Sequence, residues 1–118
     1  MMLGQLIMKG STSVDVYTPW VPVQGKVAIF AIDVLGLSLS GGGKLEFKVQ
    51  TKFTTETDGN AVAAASTKST SATGLLTMTS TTELRELCRY LCTFDASAGS
   101  SDWAVVQMLD PVWKPTMS

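Results

Sequence analysis

Apolar and polar residues alternate with a period of two along much of this chain. Leu45, Phe47, Val49, Thr51 and Phe53 alternate with Glu46, Lys48, Gln50 and Lys52. A strand points successive side chains to opposite faces, so this segment predicts a strand with one face in a core and the other in water. Residues 13–17 alternate around Val14 and Val16. Residues 26–34 place Val27, Ile29 and Ala31 on one face and Ala28, Phe30 and Ile32 on the other. Both faces are apolar, which predicts a strand either buried on both sides or placed at a subunit contact. The run continues through residues 35–39 past Gly36, a predicted bulge or corner. Residues 102–109 read as a last strand, with Trp103, Val105 and Gln107 on one side and Ala104, Val106 and Met108 on the other.

Breaks punctuate these runs. Pro19 and Pro22 flank Trp20 and keep that stretch out of a central strand. Gly41-Gly42-Gly43 interrupts any regular element. Asp58-Gly59-Asn60 is a turn signal. Between residues 54 and 82 Ser, Thr, Ala and Gly dominate, and residues 61–65 and 74–79 read as short strands separated by a Ser/Thr loop. Lys68 is the only charged residue of that tract after Asp58, and the tract suits either a flexible loop or a surface packed on another subunit without charge repulsion. Residues 96–101 form a polar turn, and Asp110-Pro111 ends the last strand.

One segment carries two periods. Leu84, Leu87, Cys88 and Leu91 fall at helical spacing, whereas Cys88, Tyr90, Cys92 and Phe94 alternate. A short helical turn over residues 83–87 followed by a strand over 88–94 accommodates both, because aromatic content rises in the second part. The chain therefore reads as an all-β antiparallel sandwich or jelly roll with at most one short helical turn. Residues 1–13 are expected as an N-terminal arm, 14–109 as the sandwich and 110–118 as an extended tail.

Composition narrows the chemistry. The chain has 118 residues, one domain's worth, of which 45% are hydrophobic and only 16% charged. About 25% charge is usual, so the surface is built largely from uncharged polar residues. Nine Lys and Arg against ten Asp and Glu give a net charge of -1, which offers no basic field for nucleic acid. There is no histidine, which excludes Ser-His-Asp and Cys-His nucleophiles and the HExxH zinc site. The apolar start carries Lys9 too early for a secretory h-region of about 7–15 residues. No window approaches the roughly 20 apolar residues of a membrane helix.

The remaining candidates are weak. Cys88 and Cys92 lie on one face of a strand about 13 Å apart, too far for a disulfide, and read as two small buried hydrophobes. Two thiols without histidine make a poor zinc set. The stretch from Asp95 to Asp102 lacks the acidic density of a calcium loop. Gly41-Gly42-Gly43-Lys44 does not meet the phosphate-loop pattern. Glu46, Glu56, Glu83 and Glu86 show no pairing suited to glycoside hydrolysis. No catalytic, metal or cofactor site is expected. Trp103 reads as core, while Trp20 and Trp113 sit beside prolines with no evident core face. At least one of those two is expected to anchor a neighbouring subunit.

The stretch 45–52, the Ser/Thr insert after it, Leu87-Cys88-Arg89-Tyr90-Leu91 and Trp103-Ala104-Val105-Val106 resemble the pattern of small phage and virus-like structural proteins, namely head decoration proteins and jelly-roll capsid subunits. The resemblance implies a homo-oligomeric shell or decoration subunit without an active site, found in the virion after assembly in the host cytoplasm. Its expected partners are copies of itself, with a trimer as the small closed state, and a major capsid or other shell protein, with no nucleic acid and no membrane. Leu3, Leu6, Ile7, Met8, Trp20, Val27, Ile29 and Trp113 are the expected interface residues. The alternative is a carbohydrate-binding sandwich that uses exposed tryptophans.

Overall fold

The structure is a computed structural model that describes residues 2–10, 13–39, 43–95 and 102–115; the side chains of residues 2–4, 6 and 10 lie outside the description. Its strands are β1 (Met2–Gly10), β2 (Val14–Tyr17), β3 (Val21–Pro22), β4 (Val27–Ser38), β5 (Lys44–Lys52), β6 (Val62–Ala63), β7 (Lys68–Thr70), β8 (Gly74–Thr79), β9 (Leu87–Asp95), β10 (Asp102–Leu109) and β11 (Val112–Lys114). They form two antiparallel sheets.

Three pairs of strands are single rows broken once. Met108 lies opposite Ile32 and Val112 opposite Ile29, so β11 continues β10 along β4 after one extra residue. Tyr17 lies opposite Leu91 and Val21 opposite Cys88, so β3 continues β2 along β9. β6 and β7 likewise share one edge of β5. Sheet A thus runs β1, β10/β11, β4, β8, and sheet B runs β2/β3, β9, β5, β6/β7. The first row lies beside the last in sheet A and the second beside the penultimate in sheet B. This is the double Greek-key order of a jelly roll, and the all-β sandwich read from the alternation is the fold.

The core fills the space between the sheets. Phe30, Ile32 and Val34 from β4 and Ala104, Val106 and Met108 from β10 face Leu45, Phe47 and Val49 from β5 and Cys88, Tyr90, Cys92 and Phe94 from β9. All are buried, and each set occupies alternate positions of its strand, as a period of two requires. Phe30 and Tyr90 meet edge to face across the core, with ring centroids 5.8 Å apart.

Several details depart from the sequence reading. Residues 83–87 form no helical turn. The Leu84 N–H donates to Lys26 C=O at 2.8 Å and the Glu86 N–H to Lys52 C=O at 3.1 Å, and the Arg85 N–H donates to Thr51 Oγ1 at 2.9 Å. Successive donors are committed to other segments, which leaves none for a helix ladder. The helical turn is a 3-10 turn over Asp58–Asn60. The segment read as an N-terminal arm contains β1, paired along β10, and the tail contains β11, paired on β4. Lys68–Thr70, inside the expected Ser/Thr loop, pairs with Leu45–Phe47 as β7. The bulge at Gly36 is present: Val105 lies opposite Gly36 and Val106 opposite Val34, which leaves Leu35 as the extra residue. Residues 41, 42 and 96–101, which carry most of the glycine break and the polar turn, lie outside the described residues.

Candidate functional site

The two outer faces of the sandwich differ in charge. On sheet B the outward positions of β2, β9 and β5 carry Asp15, Arg89, Thr93, Asp95, Lys44, Glu46, Lys48, Gln50 and Lys52, with Tyr17, Leu87 and Leu91 among them. On sheet A the outward positions carry the apolar Ile7, Trp103, Val105, Leu109, Ile29, Ala31, Leu35 and Leu75, together with the uncharged Gln5, Gln107, Ser38, Thr77 and Thr79. Lys9 and Asp33 are the charged residues among the outward positions described on β1, β10, β4 and β8. Exposure there is high for apolar side chains: Ile7 78%, Val112 61%, Leu75 60%, Leu35 47% and Trp103 40%.

The bulge builds the centre of this apolar face. Adding one residue to β4 turns both Leu35 and Gly36 outward. A Cβ on Gly36 would lie 3.3 Å from two atoms of the Trp103 six-membered ring. The indole therefore lies across a strand position that has no side chain to lift it. Trp103, read as core from the sequence, is outward because its neighbours Ala104 and Asp102 take the inward positions.

Sheet B carries a compact cluster around Trp20. The Arg89 guanidinium lies 4.0 Å from the Tyr17 ring centroid and 4.3 Å from that of Trp20. Lys52 Nζ lies 4.8 Å from the Trp20 ring. Asp58 accepts from Lys52 Nζ at 2.8 Å, from Trp20 Nε1 at 3.0 Å and from Arg89 at 3.4 Å. The Lys52 hydrogen bond, followed by the charge of Lys52, the Trp20 hydrogen bond and the charge of Arg89, holds the Asp58 carboxyl below its ordinary range against the opposing effect of burial. Lys52, expected on a water-facing strand surface, is buried here. Beside it Arg85 pairs with Glu56 at 2.9 Å, and the Phe53 N–H donates to Glu56 at 2.7 Å, which lowers the Glu56 carboxyl. The cluster clasps the segment after β5 onto sheet B. Phe53 is exposed beneath Arg85 rather than buried with its alternating partners, because β5 has already ended.

The expected interface residues separate into groups. Ile7 and Ile29 stand on the outer face of sheet A, Ile7 exposed and Ile29 half-buried. Met8 and Val27 are buried within the chain. Trp113 is half-buried and packs against the core opposite Ala28, while Trp20 is half-buried in the cluster above. Leu3 and Leu6 lie on β1 with their side chains outside the description. Sequence reasoning missed Leu35, Leu75, Trp103 and Val112 as surface residues. Alternation shows which residues share a face but not which face is covered.

The thiols are structural. Cys88 and Cys92 are free and buried, and burial pushes each thiol up to about 12. Among the described residues no group of three or more Cys, Asp or Glu side chains is placed to hold a metal ion, and no helix is long and apolar enough to cross a membrane. No family model, curated protein or solved structure matches this chain.

Proposed function

We propose that this chain is a non-enzymatic structural subunit of a virion or similar shell, a capsid decoration or stabilising protein that acts through contacts with its own copies and with the shell. The observation that carries the reading is the apolar outer face of sheet A. Large exposed apolar patches mark interaction surfaces, and interface cores are depleted of charge and enriched in aromatic residues such as Trp103. The jelly-roll order adds fold-level support, since viral capsid domains use it, although lectins and cupins do too. The carbohydrate-binding alternative draws less support, because Trp20 is covered by Arg89 and Lys52 and Trp113 faces the core.

Sedimentation velocity over a concentration series tests the reading. The expected result is a defined oligomer that dissociates when Ile7→Asp and Trp103→Asp are introduced together. A monomer at every concentration that binds polysaccharide would replace this reading with the alternative.

A further inference from the structure

Charged side chains on the outer face of sheet B find partners within the chain. Glu46 lies between Lys44 and Lys48, at 3.7 and 3.5 Å. Asp15 accepts from Thr93 and Asp95 from Ser13, and Asp58 takes Lys52 and Arg89. The outer face of sheet A differs. Lys9 is exposed there and Asp33 half-buried, and among the described residues neither side chain makes an ion pair or a hydrogen bond.

These two charges stand diagonally across the centre of the apolar face. Lys9 lies opposite Trp103 and Asp33 opposite Gln107. Val105 is two residues from each of those partners, on the strand between β1 and β4, so it is the midpoint between the charges. Ile7, Trp103 and Leu35 stand around it as exposed apolar side chains. Lys114, on β11, lies at the far end of the face. An occupant of this patch takes Lys9 and Asp33 out of water, and covering a charge without a counter-charge is costly. The occupant must therefore bring a cation to Asp33 and an anion to Lys9, at the spacing these two residues themselves have.

We infer that the occupant is a second copy, packed face to face on sheet A about a two-fold axis that lies between the faces and passes over Val105, with Lys9 of each copy paired to Asp33 of the other. A two-fold contact matches a surface patch with itself. The required spacing is then met by identity, and two ion pairs form at once. The same axis sets Trp103 of one copy over Leu35 of the other. Four rows about 4.8 Å apart, rising about 3.3 Å per residue, give the face on the order of 600 Å², comparable with the roughly 800 Å² that each partner buries in a standard stable interface. The inference rests on the proposed role as a self-associating subunit and names the contact through which copies meet. It makes the smallest closed assembly a dimer in place of the trimer expected from the sequence.

The test is charge reversal followed by sedimentation equilibrium. The wild-type protein is expected to form a dimer. Lys9→Glu alone sets acidic side chains against each other at both sites, and Asp33→Lys alone sets basic ones, so each is expected to weaken the dimer by about tenfold or more. An equimolar mixture of the two variants is expected to regain the dimer, because a mixed pair carries opposite charges at both sites. Mixing would not repair a folding defect. If both variants weaken the dimer and the mixture does not recover, Lys9 and Asp33 do not face each other and the two-fold arrangement fails. If both variants dimerise like the wild type, the copies meet elsewhere and the reading as a self-associating subunit stands. If the wild type stays monomeric at every concentration, the face-to-face dimer and self-association fail together.

Discussion

The Tyr90 hydroxyl occupies the place of a strand partner for Ala31. It accepts the Ala31 N–H at 3.1 Å and lies 3.2 Å from the Ala31 carbonyl and 2.9 Å from that of Leu109, sharing its proton between them. This is where β10 ends and Pro111 enters, so the regular ladder to β4 is interrupted. The backbone of the same residue spans the break in the other sheet: the Tyr90 N–H donates to Thr18 Oγ1 at 3.0 Å, and its carbonyl accepts the Thr18 N–H at 3.0 Å. One buried residue on β9 thus satisfies the backbone at the interruptions of two of the three split rows, β10/β11 and β2/β3.

Removing that hydroxyl is expected to weaken the fold without touching any surface. Tyr90→Phe keeps the ring packed on Phe30 but leaves the Ala31 N–H and two carbonyls short of a partner. The expected loss is about 1–3 kcal/mol. Urea denaturation checks it: the midpoint falls and the slope stays constant.

The three tryptophans are expected to respond differently. Trp113→Ala removes a half-buried side chain from the core edge and lowers stability by about 2 kcal/mol, less than for a fully buried aromatic. Trp103→Ala changes stability little and costs association about 2 kcal/mol, as an interface aromatic does. Trp20→Ala leaves association unchanged and frees Asp58 from its indole partner. Thermal denaturation and sedimentation on the same three variants separate these outcomes.

Acid is expected to release the clasp on sheet B. Asp58 and Glu56 have carboxyls held below their ordinary range, chiefly by the Lys52 hydrogen bond and the Phe53 N–H respectively. A depressed folded-state pKa adds stability above the unfolded value that is lost as pH falls through the folded one. The change therefore comes below about pH 4, the ordinary carboxylate range. Tryptophan emission, followed from neutral pH downward, is expected to shift as Trp20 loses its partners. Asp58→Asn is expected to bring the shifted emission to neutral pH.

The cysteines are expected to stay silent toward thiol reagents. With each thiol pushed up to about 12 and buried, almost no thiolate forms at pH 8 and none is accessible. Labelling by an aromatic disulfide reagent is expected to proceed at the rate of global unfolding. Rapid labelling of the native protein would show that β9 opens locally.

Much of the fold was legible because period-two alternation is a local property. The strand at 45–52 and the inward set Cys88, Tyr90, Cys92 and Phe94 follow directly from it. The helical stripe at Leu84, Leu87, Cys88 and Leu91 misled because its donors are taken by Lys26, Thr51 and Lys52, residues distant in sequence. β1 and β11 were hidden for a similar reason, since their partners lie at the opposite end of the chain and on β4. The apolar outer face was only half legible. Both faces of 26–34 are visibly apolar, but the exposure of Trp103 and Leu35 depends on a one-residue bulge whose effect appears only in the paired register.

The pairing of β1 with β10 sets an order in time. Met2 lies opposite Leu109, so the first strand has no place to dock until nearly all the described chain has emerged and the last row has formed on β4. Contacts this distant in sequence make for slow folding, in the range of milliseconds to seconds for sandwiches of this kind. During synthesis the apolar β1 segment waits unpaired while the rest of the sandwich gathers. Refolding followed by burial of Trp113, which lies on that last row, will therefore report the step that must precede the docking of β1.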